Sequence, residues 1–336
     1  MYEPFFGLRE RPFDLTPTPR FLVLTDAHRE ALRNLEYGIA SRKGITLLIG
    51  EAGSGKTTVI RAAIETQPVR VHCVHLNNPT LTRVEFVEML TSKFGLSPDA
   101  ARSKTRMLVE LETLLLRRRE AGETTVLIVD EAQSLPLDLL EEIRLLSNIE
   151  TDDEKLLSVI IAGQPELADR LNEAVLRQFK QRVSLRCALG SLSRAETETY
   201  VRGRIQAAGG SGADVFTAEA IALIHEGARG LPRTINVIAD NALLGGFAAG
   251  RRPVDAAVVR EVCRDFDIVL TAPVHKPFAS PAAGPATPVG ASAPSGARRL
   301  IPGESDPVTG PAAATGQAGM FDTFTPKRRR FSFFWN

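Results

Sequence analysis

The stretch GITLLIGEAGSGKTTVI, residues 44–60, passes from an apolar β-rich run through a glycine loop into a helical pattern. Within it, Gly50, Gly55, Lys56 and Thr57 occupy the fixed positions of G-x-x-x-x-G-K-[ST]. Glycines in such a loop let backbone N–H groups turn inward around phosphate oxygens, and the following helix aims its partial positive end at the same point. The spacing therefore predicts a phosphate site for ATP spanning Gly50, Glu51, Ala52, Gly53, Ser54, Gly55, Lys56, Thr57 and Thr58. Lys56 is expected on the β- and γ-phosphates and the Thr57 hydroxyl on Mg2+. The bland alternative is a glycine-rich turn that happens to precede a helix.

A second element supports the first. TTVLIVDEAQSL, residues 124–135, is an apolar strand pattern ending in Asp130 and Glu131. A carboxylate at such a strand end can hold the magnesium shell, and the next one can polarise an attacking water. Asp130 is thus expected at the metal and Glu131 as the base. Charged strand ends are common, so this pair gains its meaning from following a phosphate loop. It also favours hydrolysis over simple nucleotide retention.

Outward from these two elements, VRVHCVHL (69–76), LLSVIIAG (156–163) and RVSLRC (182–187) are further β-type runs separated by helical patterns. Runs apolar on both faces and alternating with helices indicate buried parallel strands, hence an α/β fold. From Ser193 onward only helical patterns remain: 193–209, 217–230, 231–246 and 254–266, with Ser193, Thr217 and Asp255 near helix starts. The expected organisation is an N-terminal segment (1–43) packing on the ATPase core, an α/β nucleotide-binding domain (44–190) and a helical lid (191–270). A Pro/Ala/Gly-rich linker (271–326) and a basic–aromatic tail (327–336) complete it.

The linker holds 10 of the 21 prolines and too little apolar surface to offset its ordering entropy. Charge is divided unevenly, with 34 Lys/Arg against 37 Asp/Glu up to Thr271 and 7 against 3 after it. A slightly acidic body argues against a general nucleic-acid binder. The three cysteines, Cys73, Cys187 and Cys263, lack metal-ligand spacing and read as reduced, buried thiols. MYEPFFGLRERPFDL at the start is not a signal peptide, and no apolar run is long enough to span a bilayer, so a cytoplasmic location is expected, with peripheral attachment at the inner membrane through the tail.

Taken together, these residues resemble the AAA+ ATPases, and more narrowly the general secretion pathway protein A (ExeA-like) family, over roughly residues 2 to 265. The resemblance rests on the opening YEPFFGLRERPFDLTPTPRFLVLTDAHREAL, GEAGSGKTT, VDEAQ, IIAGQPEL, QRVSLR and GLPRTINVIADNAL. It implies an AAA+ P-loop NTPase with a parallel sheet flanked by helices and a small all-helical lid. It further implies that Gln164 acts as the sensor orienting water, Arg182 as an arginine finger acting on a neighbouring subunit, and Arg233 as the lid sensor. Gln164 has a helix-capping reading beside the functional one, and Lys180 and Arg186 compete with Arg182. The resemblance implies that part of the opening lies beside the adenine, whereas PFFGL, PFDL and RFLVL also read as apolar clamps at the domain's edge; His28 and His225 read as surface or capping residues.

Relatives often continue into a membrane-spanning helix and a periplasmic cell-wall-binding domain, a pattern from which this sequence departs. The expected function is ATP hydrolysis by a ring or partial ring of subunits, coupled to assembly or operation of an envelope secretion, pilus or export system. A DNA-linked helper ATPase and a nucleotide-gated scaffold are the alternatives. The ending KRRRFSFFWN, residues 327–336, reads as a docking element for an anionic membrane surface or a membrane-bound partner, or as a remnant of a lost spanning segment.

Overall fold

The computed structural model describes residues 1–14, 23–76, 81–211 and 214–270. Five strands, β1 (Ile45–Gly50), β2 (Val71–Leu76), β3 (Thr124–Val129), β4 (Ser158–Gly163) and β5 (Val183–Leu189), form one sheet in the order β2-β3-β4-β1-β5. Every pairing is parallel. β1, β3 and β4 are buried at every residue, as uninterrupted apolar runs require when both faces are covered. The outer strands depart from that expectation. β5 exposes Ser184, Arg186 and Ala188, and β2 is half-buried through Val71, His72 and Cys73, because an edge strand has fewer neighbours to cover it.

Helices α1 (Asp26–Ala40) and α2 (Lys56–Glu65) lie on one face, packing Leu35, Val59 and Ile60 against Leu48, Ile128 and Ile160. The other face is covered by α3 (Arg83–Phe94), α4 (Lys104–Glu120), α5 (Leu137–Leu146), α6 (Pro165–Arg170) and α7 (Arg177–Lys180). There Phe86, Leu111, Leu139 and Phe179 share a core with Leu47, Leu127 and Val159. Because β4 lies between β3 and β1, the loops leaving these three strands open side by side at the C-terminal edge of the sheet.

Helices α8 (Arg194–Ala207), α9 (Ala218–Ala228), α10 (Pro232–Ala248) and α11 (Ala256–Asp265) follow. Their starts are chemically marked. Ser193 and Glu196 form a reciprocal capping box, Thr217 accepts from the Ala220 amide, Asp255 accepts from the Ala257 and Val258 amides, and Pro232 opens α10.

Residues 1–43 do not pack as one piece on the sheet layer. Tyr2, Phe6, Leu8 and Phe13 are buried in the core of the helical domain, together with Val201, Phe216 and Ile238. The Arg9 amide donates to the Ala208 carbonyl at 2.8 Å, and Arg204 Nε donates to the Pro12 carbonyl at 2.6 Å. Among the described residues of this segment, α1 packs on the sheet. Four short helices enclose little apolar volume by themselves, and the N-terminal rings complete their core.

The linker 271–326 and the tail 327–336 lie outside the described residues. Among the described residues no helix is long and apolar enough to cross a membrane. The three cysteines are free, and burial pushes the Cys73 and Cys187 thiols up to about 11, which keeps them protonated at neutral pH.

Candidate active site

The loop between β1 and α2 owes its shape to glycines. Gly53 and Gly55 have φ of +80° and +100°, a region that strains residues with a Cβ. At Gly50 close approach decides the residue, since a Cβ there would lie 2.6 Å from Ser54 Oγ and 2.9 Å from the Leu189 carbonyl. Gly55 precedes α2 without offering a side-chain cap, so the first amides of the helix have no side-chain acceptor at the N-cap. Ser54 Oγ is buried with no hydrogen-bond partner. Lys56 is buried too, and its Nζ donates back to the Gly50 and Glu51 carbonyls at 2.8 and 3.1 Å. Burial holds the Lys56 ammonium below its ordinary pKa, against the opposing pull of Glu131, Asp130 and Glu51. Uncapped amides, an unpartnered hydroxyl and an ammonium resting on its own loop together fit an anion such as a nucleotide phosphate chain. Glu51 and Ala52, at the loop's outer turn, are exposed, and Thr58 is half-buried.

Thr57, in the first turn of α2, donates from Oγ1 to Asp130 Oδ2 at 2.9 Å. A hydroxyl and a carboxylate in this arrangement suit Mg2+, which takes few protein oxygens and completes its shell with water and phosphate. The other Asp130 oxygen accepts the Glu131 amide at 2.9 Å, which fixes the turn at the end of β3. Glu131 itself adopts the left-handed conformation, φ 53°.

Two amide donors converge on Glu131 Oε2, Gln133 Nε2 at 2.6 Å and Gln164 Nε2 at 3.2 Å. Oε1 makes no hydrogen bond among the described residues. The Gln133 amide lowers the pKa of the Glu131 carboxyl, helped by Gln164 and Lys56 and opposed by burial. A carboxylate tethered by one oxygen and free at the other can orient a water molecule and take its proton. Gln164 stands at the N-cap position of α6, yet its side chain makes no capping bond and points to Glu131 instead. Gln133 also accepts the Gln164 amide on Oε1 at 3.0 Å, so it bridges the two loops. Arg170 holds this segment from outside through the Gln133 and Leu135 carbonyls.

Arg233, in the first turn of α10, brings the helical domain onto the phosphate loop. Its amide donates to the Gly53 carbonyl at 3.1 Å, and a Cβ on Gly53 would lie 2.6 Å from Arg233 Cβ. The Arg233 side chain is exposed beside the loop. Arg182 is not brought to this site. It directly precedes β5, whose Val183 pairs with Ile45 at the start of β1, whereas the phosphate loop follows the end of β1. At about 3.3 Å per residue the two lie roughly 16 Å apart along the strand. Arg182 is exposed there, away from the phosphate loop of its own chain. Arg186 is exposed part-way along β5, and Lys180 donates to Asn172 Oδ1 at 2.7 Å.

Two residues at the site carry no role in it from sequence. Gln133 stands inside the VDEAQ box, where its position two residues beyond Glu131 was the available signal. His28 lacked any signal, because its contact is with a loop 26 residues away. Rather than lying at the surface, it is buried, 4% exposed, and its Nε2 lies 3.0 Å from the Ser54 carbonyl. His225 contacts Thr197 Oγ1 at 2.9 Å, within the helical domain.

Comparison with known proteins bears on the family and the fold. A family model described as an AAA domain matches residues 39–171. The chain is similar to general secretion pathway protein A of Aeromonas hydrophila, 40% identical over 254 residues covering 76% of this chain and 46% of that protein. The chain thus spans less than half the length of that relative. Among solved structures, the ORC2 protein of Aeropyrum pernix in ADPNP–ADP complexes superposes with a TM-score of 0.58 at 19% identity, covering 76% of this chain and 71% of the other. Cdc6p of Pyrobaculum aerophilum gives a TM-score of 0.56 at 15% identity, covering 78% and 72%. At such identities these two show the shared fold.

Proposed function

Because the chain belongs to the AAA+ ATPases of the general secretion pathway protein A family, we propose that its ATP hydrolysis drives assembly or operation of a cell-envelope secretion, pilus or export system. The observation that carries the site reading is the convergence of Thr57–Asp130 and Glu131–Gln133–Gln164 beside the phosphate loop. In this reading residues 50–58 bind the phosphates, and Thr57 and Asp130 hold Mg2+. When bound, the ion neutralises charge on the phosphate oxygens. Glu131 takes the proton of the attacking water at its free oxygen while Gln164 and Gln133 hold the carboxylate. Arg233 reads the phosphate end from the helical domain. Arg182, placed before the start of β5 and away from its own phosphate loop, completes the site of an adjacent subunit, so the active form is a ring or partial ring.

The envelope assignment is supported by the relative from Aeromonas hydrophila and by the basic–aromatic sequence 327–336, whose cations and rings suit peripheral contact with anionic lipid at the inner membrane. ATP turnover is measured alone, with anionic vesicles or envelope fractions, and with double-stranded DNA. Stimulation by membranes or envelope components is the expected result. Stimulation by DNA alone would move the protein to the DNA-linked helper class, and turnover unaffected by either would leave the envelope reading without support.

A further inference from the structure

A phosphate loop works only if its amides face inward, and each peptide unit is planar, so its carbonyls must then face outward and find partners. In this chain the Glu51 carbonyl accepts the Ser54 amide at 3.1 Å, and the Gly53 carbonyl accepts the Arg233 amide at 3.1 Å. The Ser54 carbonyl is met from a third direction by His28 Nε2 at 3.0 Å. The Ser54–Gly55 unit carries that carbonyl at one end and the Gly55 N–H at the other. Holding the carbonyl outward aims this N–H into the cradle.

The histidine is built to hold. It sits in the first turn of α1, whose Ala31, Leu35 and Ile39 are embedded in the core against the sheet. Its Nδ1 lies 2.6 Å from Oγ1 of Thr25, the N-cap of α1. A carbonyl can only accept, so the proton belongs on Nε2, and Nδ1 is left to accept the Thr25 hydroxyl hydrogen. Burial lowers the His28 pKa and favours this neutral form. The ring also crowds the loop, since a Cβ on Gly55 would lie 3.3 Å from Nε2.

We propose that His28 is a positioning residue for the phosphate loop, fixing the Ser54–Gly55 peptide so that its amide is presented to bound nucleotide. The histidine acts through the loop, at the Ser54 carbonyl. It also ties the loop to the helical domain, because Val23, five residues earlier, packs against α8 beside Gly203. This inference rests on the reading of residues 50–58 as the ATP site.

The test uses the full chain with His28→Phe, His28→Gln and His28→Asn. The Gln side chain places an amide N–H near the position of Nε2, whereas Asn is one methylene too short to reach Ser54. Binding of ATP and ADP is measured by displacement of a fluorescent ADP analogue, alongside steady-state ATPase kinetics. For Phe and Asn the expected result is about tenfold weaker binding of both nucleotides, the cost of one hydrogen bond left unmade. KM should rise in parallel and kcat at saturation should stay within about twofold. His28→Gln should restore binding to within about threefold. Should His28→Phe fail to fold, the Gln and Asn pair decides. Equal affinity across the series, or His28→Gln as weak as His28→Asn, overturns the assignment. Wild-type protein that binds neither nucleotide would instead overturn the ATP-site reading beneath it.

Discussion

Replacing Glu131 by Gln changes one atom of the carboxylate and leaves its shape. Gln133 Nε2 and Gln164 Nε2 both donate to Oε2, at 2.6 and 3.2 Å. The new amide will satisfy them with its oxygen, which turns its NH2 group to where Oε1 now stands. That group donates and cannot take a proton, so water loses its acceptor while every contact to the phosphate loop survives. General-base loss typically costs about 10²–10⁴ in rate, equivalent to roughly 3–5 kcal/mol of transition-state stabilisation. The assay is kcat at saturating MgATP together with the Kd of ATP under non-hydrolysing conditions. The expected variant binds ATP within a few-fold of wild type and turns over at least about a hundredfold slower. Turnover within a few-fold would show that the base lies elsewhere, and loss of binding would show that Glu131 supports the loop instead.

Three further outcomes follow from the geometry. In Gln133→Leu the donor chiefly responsible for lowering the Glu131 pKa is gone while the burial that raises it remains, so the carboxylate protonates at a higher pH. The base works only when ionised. The acid limb of the kcat profile should therefore move upward from its wild-type place below the ordinary 4.5, and superimposable profiles would refute the bridge. Arg182→Ala and Lys56→Ala should each be nearly inactive alone, yet mixtures should regain turnover, because a subunit lacking its own loop lysine can still lend Arg182; no recovery at any ratio counts against a shared site. Gly230→Ala would place a Cβ 2.2 Å from the Leu192 carbonyl at φ +71°, and left-handed strain plus overpacking should destabilise by about 2–5 kcal/mol in denaturant unfolding. A loss below about 1 kcal/mol would mean that the junction before α10 yields easily.

The parts of the chain legible from sequence are those whose chemistry is contiguous. GEAGSGKTT, residues 50–58, carries in one stretch the strand end, the glycines and the lysine, so its local geometry follows from its own residues. The apolar runs of β1, β3 and β4 likewise announce inner parallel strands, and Ser193, Thr217 and Asp255 announce helix starts by their capping chemistry. Strand order decided the rest. Only the insertion of β4 between β3 and β1 sets Gln164 beside Glu131 and turns Gln133 into a bridge. Nothing in the opening stretch reveals that Phe6 and Phe13 complete the helical core while His28, farther along, contacts the Ser54 carbonyl. Arg182 illustrates the same limit, for a short motif states residue types and cannot state which edge of the sheet receives them. The physical reason is one of range. Backbone conformation and capping are settled within a few residues, whereas contacts between distant segments exist only once the sheet has fixed which loops become neighbours.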